Sequence, residues 1–231
     1  MHIAIVIPTY NEADNINLLT LQIFALNLPN LEIIFVDDNS PDGTGDIIKQ
    51  LQTKFPIHLI ERPTKLGLGS AYIAGFKYAL STPAEYIFEM DADFSHDPAD
   101  IPRLISACAT GADLAIGSRR VPGGKIVGWN CWRHFTSFAA TTFSRFILKL
   151  TVKDVTAGFR CFKKNVLAKI DLNSIKSDGY AFQEELLYKV HQMGFNIVEV
   201  PVVFNDRSRG QSKLSKKDIL EFFLIIFKLK I

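Results

Sequence analysis

Short, continuously apolar runs alternate with stretches of helical spacing through the first half of the chain. Ile3 to Ile7 is a β-branched run closed by Pro8. From Glu12 to Leu28, the apolar residues Ile16, Leu19, Ile23 and Leu26 recur with the period of one helix face. Leu31 to Val36 predicts a second strand that ends on Asp37-Asp38. Asn39-Ser40-Pro41-Asp42-Gly43 is dense in turn formers, and a helix from about Thr44 to Phe55 turns Ile47, Ile48 and Leu51 inward. A third strand follows at Ile57 to Ile60, then a helix from Gly69 to Leu80 with Ala71, Ala74 and Gly75 small enough for close packing. Tyr86-Ile87-Phe88 predicts a fourth strand, Pro98 to Ala109 a helix, and Leu114 to Ile116 a fifth strand. Apolar strands separated by helices point to a mostly parallel sheet covered on both faces.

The second half is less regular. Val121-Pro122-Gly123-Gly124 is a loop signal, and Trp129 to Leu150 contains a long helix with Phe135, Phe138, Phe143 and Phe146 on one side. A strand is expected near Phe159 to Phe162 and a helix from Phe182 to Met193. Ile197 to Phe204 reads as a strand interrupted by Pro201, which suits a sheet edge. Asp206 to Lys217 is a polar, basic loop, and Asp218 to Leu229 a final amphipathic helix. These readings divide the chain into a main domain over 1–217 and a C-terminal helix over 218–231 able to contact a membrane surface.

Polar clusters fall where the predicted strands end: Pro8-Thr9-Tyr10-Asn11-Glu12, Asp37-Asp38-Asn39-Ser40, Asp91-Ala92-Asp93 and Gly117-Ser118-Arg119. In open α/β sheets, ligands bind outside the carboxyl ends of the strands. Asp91 and Asp93 are hard oxygen ligands suited to Mg²⁺ or Mn²⁺, ions that commonly join protein carboxylates to substrate phosphates. The same stretch also reads as a polar turn in which Asp93 or Ser95 caps the helix after Asp97-Pro98. The turn after the first strand lacks the glycine fingerprint of a dinucleotide-binding oxidoreductase. Gly67-Leu68-Gly69 opens a helix, so it either offers backbone N–H groups to an anion or serves close packing.

Composition narrows the partners. At 231 residues, with 48% hydrophobic content and a net charge of +2, the chain is an ordinary globular protein whose overall charge does not call for nucleic acid. Its basic residues fall late, which suits an anionic ligand or an anionic membrane surface. Cys108, Cys131 and Cys161 are widely spaced, contain no C-x-x-C, and fit a reducing compartment. The N-terminus enters a strand without a secretory signal, and no apolar run approaches the ~20 residues of a membrane span.

Taken together, Ile7-Pro8-Thr9-Tyr10-Asn11-Glu12, Val36-Asp37-Asp38-Asn39-Ser40-Pro41-Asp42-Gly43-Thr44, Lys65-Leu66-Gly67-Leu68-Gly69 and Met90-Asp91-Ala92-Asp93 resemble the family 2 inverting glycosyltransferases. Gly117-Ser118-Arg119, Val121-Pro122-Gly123-Gly124, Gly158-Phe159-Arg160, Gly179-Tyr180-Ala181-Phe182-Gln183 and Asp206-Arg207 through Lys213 extend the resemblance to its polyprenol-phosphate (dolichol-phosphate) mannose synthases. The resemblance implies a GT-A-like α/β fold and transfer of mannose from GDP-mannose to a polyprenyl monophosphate. Other readings are the same chemistry with UDP-glucose or another donor, and a non-catalytic nucleotide-sugar or lipid-phosphate binding module.

By the same resemblance, Pro8, Tyr10 and Glu12 line the nucleotide pocket, with Val36 and Asp38 near base and ribose. Asp91 and Asp93 bracket Mg²⁺ or Mn²⁺ and the diphosphate, and the backbone at Ala92 contacts the nucleotide. Ser95 stands where some relatives carry a metal-ligating Gln. Arg119, Arg133 and Ser137 fall where the family binds the acceptor phosphate, and Arg207 and Lys213 on a loop that closes over the donor diphosphate. A phosphate nucleophile is already ionised, so no strong base is required, and Glu184 and Glu185 are assigned structural roles. The expected setting is the cytoplasmic face of a membrane, held peripherally through the helices around Phe135 to Leu150 and Ile219 to Ile231, or through a membrane-anchoring partner subunit.

Overall fold

A computed structural model describes residues 1–177, 179, 181–206 and 225–230. Its centre is a seven-stranded sheet built from β1 (Ile3–Thr9), β2 (Leu31–Asp37), β3 (Ile57–Glu61), β4 (Tyr86–Glu89), β5 (Leu114–Ser118), β7 (Arg160–Lys163) and β8 (Ile197–Pro201). The spatial order is β3-β2-β1-β4-β7-β5-β8. All pairings are parallel except those of β7, which runs antiparallel between β4 and β5. The mostly parallel expectation therefore holds, with one reversed strand inside the sheet. A second, two-stranded parallel sheet joins β6 (Lys125–Val127) to β9 (Val203–Asn205). The loop signal read at Val121-Pro122-Gly123-Gly124 stops just short of β6, whose three residues carry too little apolar pattern to show a strand. The long strand expected to Phe204 breaks after Pro201, and β8 forms the sheet edge as expected.

Strand alternation distributes the core to two faces. Ala4 and Val6 of β1, Ile34 and Val36 of β2, and Leu114 and Ile116 of β5 point to one face. Ile3, Ile5, Ile7, Ile33, Phe35 and Ala115 point to the other. On the second face, α1 (Ala13–Ala25), α2 (Thr44–Gln52) and α4 (Ile101–Ala109) bury Ile16, Leu19, Ile23, Ile48, Leu51 and Leu104. On the first, α3 (Leu68–Ser81), α6 (Lys164–Lys169) and α7 (Ala181–Gln192) bury Tyr72, Phe76, Val166, Leu167, Phe182 and Leu186.

The small residues of α3 are there for contact with the sheet. A Cβ on Gly75 would lie 2.2 Å from Val6 Cγ1 and 3.2 Å from Val36 Cγ2. One on Gly69 would lie 2.3 Å from the Ser177 carbonyl. The helix therefore packs at a distance only glycine permits.

The long helix α5 (Cys131–Leu148) is capped by Asn130, whose side chain accepts from the Arg133 amide at 2.8 Å. Its aromatics do not all turn the same way. Phe143 packs against the core and meets Phe227 at 5.7 Å between ring centres, while Phe135 and Phe146 are 64% and 80% exposed. Residues 225–230 are helical and bury Ile226 in the same core. Most of the expected basic loop and the start of the final helix lie outside the described residues. Among the described residues, no helix is long and apolar enough to cross a membrane.

Candidate active site

The chain leaves β1, builds β2 and β3 outward, and returns to β4 on the other side of β1. The crevice at that reversal lies beyond the carboxyl ends of the strands, where such sheets bind ligands. The polar clusters at the ends of β1 and β2 meet there and are joined to each other. Asp37 accepts from the Thr9 hydroxyl at 2.8 Å and from the Ser40 amide at 2.9 Å. The Asn11 and Glu12 amides donate to Ser40 Oγ and Thr44 Oγ1, both at 3.0 Å.

Asp38 is committed internally. Its carboxylate is paired with the Arg62 guanidinium and accepts from the Leu66 and Gly67 amides at 3.1 and 3.3 Å. Arg62 also donates to Ser70 Oγ at 2.6 Å and to the Gly67 carbonyl at 2.9 Å. The anion served by the Lys65–Gly69 turn is thus a carboxylate of the chain itself. The result is a fixed wall in which Lys65 Nζ lies 4.0 Å from the centre of the Tyr10 ring. Glu12 accepts from Asn15 Nδ2 at 2.8 Å. Pro8 is partly buried in register with Val36, whereas Val36 itself is fully buried with its side chain against α3.

Beyond β4, Asp91 and Asp93 occupy different surroundings. Asp91 is 28% exposed and accepts from Tyr72 Oη at 2.9 Å. Its other oxygen lies 3.7 Å from His96 Nε2. Asp93 is buried and accepts from the Ser95 amide at 3.0 Å. The turn between them and the next helix puts Phe94 at φ 59°, a left-handed conformation uncommon for a residue with a bulky side chain. Capping of the one-turn helix at Pro98–Asp100 falls to Asp97, whose side chain accepts from the Ala99 amide at 2.9 Å. Neither Asp93 nor Ser95 takes that role. Ala92 is buried in the core.

The donor set fits a small, hard dication. No group of three His, Cys, Asp or Glu among the described residues is arranged to hold a metal by itself. Mg²⁺ and Mn²⁺ commonly take one or two carboxylates and fill the remaining positions with phosphate oxygens and water. Ser95 Oγ and both His96 ring nitrogens are buried beside these carboxylates without hydrogen-bond partners. Such atoms favour a polar guest. Gly158 keeps the space open, since a Cβ there would lie 3.5 Å from Asp91 Oδ2 and 3.8 Å from His96 Nε2.

Behind the carboxylates lies a buried charged layer. Glu89 and Arg160 are register partners across β4 and β7, and both are fully buried. Burial pushes Glu89 up to about 7, with Asp91 adding repulsion and Arg160 opposing it. Glu184, on α7, accepts from Ser144 Oγ at 2.9 Å. Burial raises it to about 8 against the opposing effects of Ser144 and Arg160. Arg160 donates to the Gln183 and Val155 carbonyls at 2.7 and 3.0 Å. Neither glutamate reaches the surface. Glu185 accepts from the Lys176 and Ser177 amides, both at 3.1 Å, and ties the segment before α7 to the helix.

The three residues expected at the acceptor phosphate are near one another but engaged. Arg119 meets Asp154 through Nε at 2.8 Å and Nη2 at 2.6 Å, and Nη2 also donates to Thr156 Oγ1 at 2.9 Å. Burial pushes Asp154 up, but the Arg119 hydrogen bonds outweigh it and hold the carboxyl below its ordinary value. Arg133 Nη1 donates to both oxygens of Asp206 at 2.8 Å. Ser137 Oγ accepts from Arg120 Nη2 at 2.7 Å. The Trp129 ring joins the two cations, at 5.7 Å from Arg119 and 4.3 Å from Arg133. Phe204 connects Trp129 to His96, with ring centres 5.7 Å apart in each case. Aromatic contact thus runs unbroken from the Asp91 side of the crevice to Arg133. Arg207 and Lys213 lie outside the described residues.

Residues 4–171 match the family described as "Glycosyl transferase family 2". The chain belongs to that family. It is 44% identical to the polyprenol monophosphomannose synthase of Mycolicibacterium smegmatis over 94% of this chain and 82% of that protein. It is 45% identical to the undecaprenyl-phosphate mannosyltransferase of Micrococcus luteus, over 93% and 88% of the two chains. The glucosyl-3-phosphoglycerate synthase of Mycobacterium tuberculosis, solved with uridine diphosphate, superposes with a TM-score of 0.72 at 16% identity, over 99% of this chain and 80% of that one. The mannosyltransferase of Pyrobaculum calidifontis, solved with GDP-Man and Mn²⁺, gives a TM-score of 0.64 at 18% identity, over 91% and 58%. At these identities the two structures speak for the GT-A fold alone.

Sequence reasoning missed several residues of this family 2 glycosyltransferase site. Tyr72 sits among the apolar positions of α3 and gives no signal of its own. Asp154 lies 35 residues from its partner Arg119, and Asp206, though it stands in a quoted motif, pairs with Arg133 at a distance of 73 residues that no local pattern announces. Arg62 follows β3 as an isolated cation. Arg160 stands in a quoted motif, but its burial against Glu89 depends on the reversed strand β7, which no local pattern announces.

Proposed function

We propose that this family 2 glycosyltransferase transfers mannose from GDP-mannose to a polyprenyl monophosphate at a membrane surface, with inversion at the anomeric carbon. The observation that carries the reading is the crevice at the β1/β4 reversal, where the Asp91 side chain keeps 28% of its surface exposed while Tyr72, Asp93, Ser95 and His96 around it are buried. The relatives named for mannose transfer to polyprenyl phosphates support the choice of sugar and acceptor. We take residues 1–217 as the catalytic unit.

Asp91 and Asp93 would hold Mg²⁺ or Mn²⁺ against the donor diphosphate. When bound, the metal neutralises charge that builds on the diphosphate as the sugar–phosphate bond breaks. Tyr72 orients Asp91 for this task through its 2.9 Å hydrogen bond. The Tyr10 and Lys65 wall, with Pro8 and Glu12, would border the nucleotide. Val36, Asp38 and Ala92 would act there by shaping that wall and through backbone. Arg207 and Lys213 would add cations over the diphosphate.

Acceptor binding falls to Arg119, Arg133 and Ser137. Arg119 is locked by Asp154, which leaves its Nη1 edge for another acceptor. Arg133 and Asp206 are about one-third exposed, so exchanging Asp206 for a phosphate costs little. The acceptor phosphate is ionised at neutral pH and needs no general base. Catalysis then rests on holding it in line with the anomeric carbon and offsetting its repulsion from the diphosphate.

The test is the response of Arg133. Arg133→Ala should raise the KM for a polyprenyl phosphate at least about tenfold while leaving the KM for GDP-mannose within about twofold, as expected for loss of a charge-assisted fork. Arg133→Lys should restore only part of the loss, because lysine cannot present two parallel donors. An unchanged acceptor KM in Arg133→Ala would remove this residue from the acceptor site.

A further inference from the structure

His96 is buried in the crevice without a partner, and the fold around it sets its orientation. The Ser95 amide donates to Asp93 at 3.0 Å, and the Ser95 carbonyl accepts from the Asn205 amide at 3.3 Å. The imidazole then stacks on Phe159, with ring centres 5.1 Å and planes 20° apart, and meets Phe204 edge-on at 5.7 Å. Two aromatic walls leave the ring little freedom to turn. It is 5% exposed, yet among the described residues neither ring nitrogen makes a hydrogen bond. A buried polar group left unpaired is costly, so the ring is oriented for a guest.

The surroundings of the ring indicate what that guest is. A Cβ on Gly158 would lie 3.5 Å from Asp91 Oδ2 and 3.8 Å from both His96 Nε2 and Gln183 Nε2, so three polar groups converge on the bare face of this glycine. They are mixed in kind. The carboxylate accepts, the amide nitrogen donates, and an imidazole offers at least one donor in either protonation state. A phosphate oxygen accepts only, and without an intervening metal Asp91 would repel it. A sugar hydroxyl both donates and accepts, which matches the lining. A third metal ligand is a poorer description, because among the described residues no three His, Cys, Asp or Glu are arranged around one ion. The position agrees with a sugar. His96 stands 3.7 Å from Asp91 on one side and, through Phe204, reaches Trp129 beside Arg119 and Arg133 on the other. A sugar that passes from a diphosphate to a second phosphate must occupy that interval.

We infer that His96 contacts a hydroxyl of the transferred sugar and helps to select which sugar is transferred, with Gln183 and the bare face of Gly158 completing the subsite. This rests on the reading that the enzyme moves a hexose from a nucleoside diphosphate. His96 itself takes no part in holding the nucleotide or the metal. A site that hydrogen-bonds a hydroxyl rejects a sugar lacking it far more strongly than a site that only fits its shape.

The experiment changes donor and enzyme together and reads equilibrium binding. Calorimetry with Mn²⁺ and without acceptor gives the affinities of wild type, His96→Phe and His96→Gln for GDP, for GDP-mannose, and for GDP-mannose lacking one sugar hydroxyl at a time. Phenylalanine keeps the stack between Phe159 and Phe204 and removes both nitrogens, whereas glutamine keeps a donor and an acceptor. All three proteins should bind GDP and Mn²⁺ within about twofold of one another. GDP-mannose should bind His96→Phe about tenfold more weakly than wild type, the effect of one lost hydrogen bond, and His96→Gln should recover part of it. One deoxy donor should bind wild type about tenfold more weakly than GDP-mannose does, and His96→Phe should no longer distinguish the two. If every deoxy donor carries the same penalty in His96→Phe as in wild type, the sugar contact is overturned. Weaker Mn²⁺ binding in both variants, followed by electron paramagnetic resonance, would make His96 a metal ligand and overturn it as well, as would loss of GDP binding. Failure of wild type to form a mannosylated lipid would count against the proposed function alone, because the cycle contains no acceptor. Binding of UDP-glucose in place of GDP-mannose would sink the mannose reading alone, and deoxy UDP-glucoses would then read His96 in the same way.

Discussion

At the scale of single residues, the site depends on a few side chains held by distant partners. Tyr72 is fully buried and spends its hydroxyl on Asp91. Tyr72→Phe removes that hydrogen bond without changing volume much. The variant should need about 10- to 100-fold more Mg²⁺ or Mn²⁺ for half-maximal activity, the usual effect of losing a group that orients a metal ligand. Metal titrations of turnover, checked by metal-dependent nucleotide binding, read this directly; an unchanged requirement would sever Tyr72 from metal binding. Glu184 makes a different prediction. Its folded pKa is near 8 against an ordinary value of 4.5. Between those values the folded chain keeps a proton that the unfolded chain releases. This stabilisation is complete below about 4.5 and is lost as pH rises through about 8. Stability should therefore fall with rising pH across that window, by up to about 1.4 kcal/mol per pH unit from this group. Denaturant unfolding at pH 5.5 and 7.5 should show a shallower decline in Glu184→Gln than in wild type. The Asp91-Ala92-Asp93 signal was legible in the sequence because its residues are consecutive. Tyr72, Asp154 and the pairing of Asp206 with Arg133 were not, because each acts on a partner far away in the chain.

At the scale of elements, legibility followed how local the determining physics is. The continuously apolar runs of β1 and β2 and the helical spacing of α1 and α2 follow from patterns within a few residues, and the structure has them where the sequence predicts. The reversed strand β7 and the small sheet of β6 and β9 depend on pairings made after the chain has returned from elsewhere. The phenylalanines of α5 had to be divided by the structure. Phe143 faces the core and Phe227, while Phe135 and Phe146 face outward. The glycines of α3 were read as small enough for close packing, and the distances give that reading a cost. Gly75→Ala would drive a methyl to 2.2 Å from Val6 Cγ1, so α3 must move off β1 and β2. We expect a loss of about 1–3 kcal/mol, the range for overpacking a filled core. Equilibrium unfolding in denaturant measures it, and an unchanged midpoint would contradict the close approach of α3. The same shift displaces Tyr72, so the metal requirement should rise with it.

At the scale of the whole molecule, the sheet concentrates chemistry along one edge. The reversal at β1/β4 gathers the carboxylates Asp91 and Asp93, proposed to face the donor, while Arg119 and Arg133, proposed to face the acceptor, gather with the Trp129–Phe204 aromatics. Opposite charge preferences in adjoining regions suit a reaction between a metal-bound diphosphate and a second phosphate. The net charge of +2 conceals this arrangement, because it sums over carboxylates and cations that serve different ligands. The central claim is mannose transfer to a lipid phosphate, and the most direct test is turnover of the purified chain in detergent. Polyprenyl phosphate would be present or absent, with Mg²⁺ or Mn²⁺, and GDP-mannose and UDP-glucose would be run side by side. The account predicts lipid-dependent release of GDP together with a mannosylated polyprenyl phosphate, reduced by about 100-fold or more in Asp91→Ala. Turnover with UDP-glucose alone would contradict the mannose assignment. Metal-dependent nucleotide binding with no lipid-linked sugar from either donor would contradict the transfer itself.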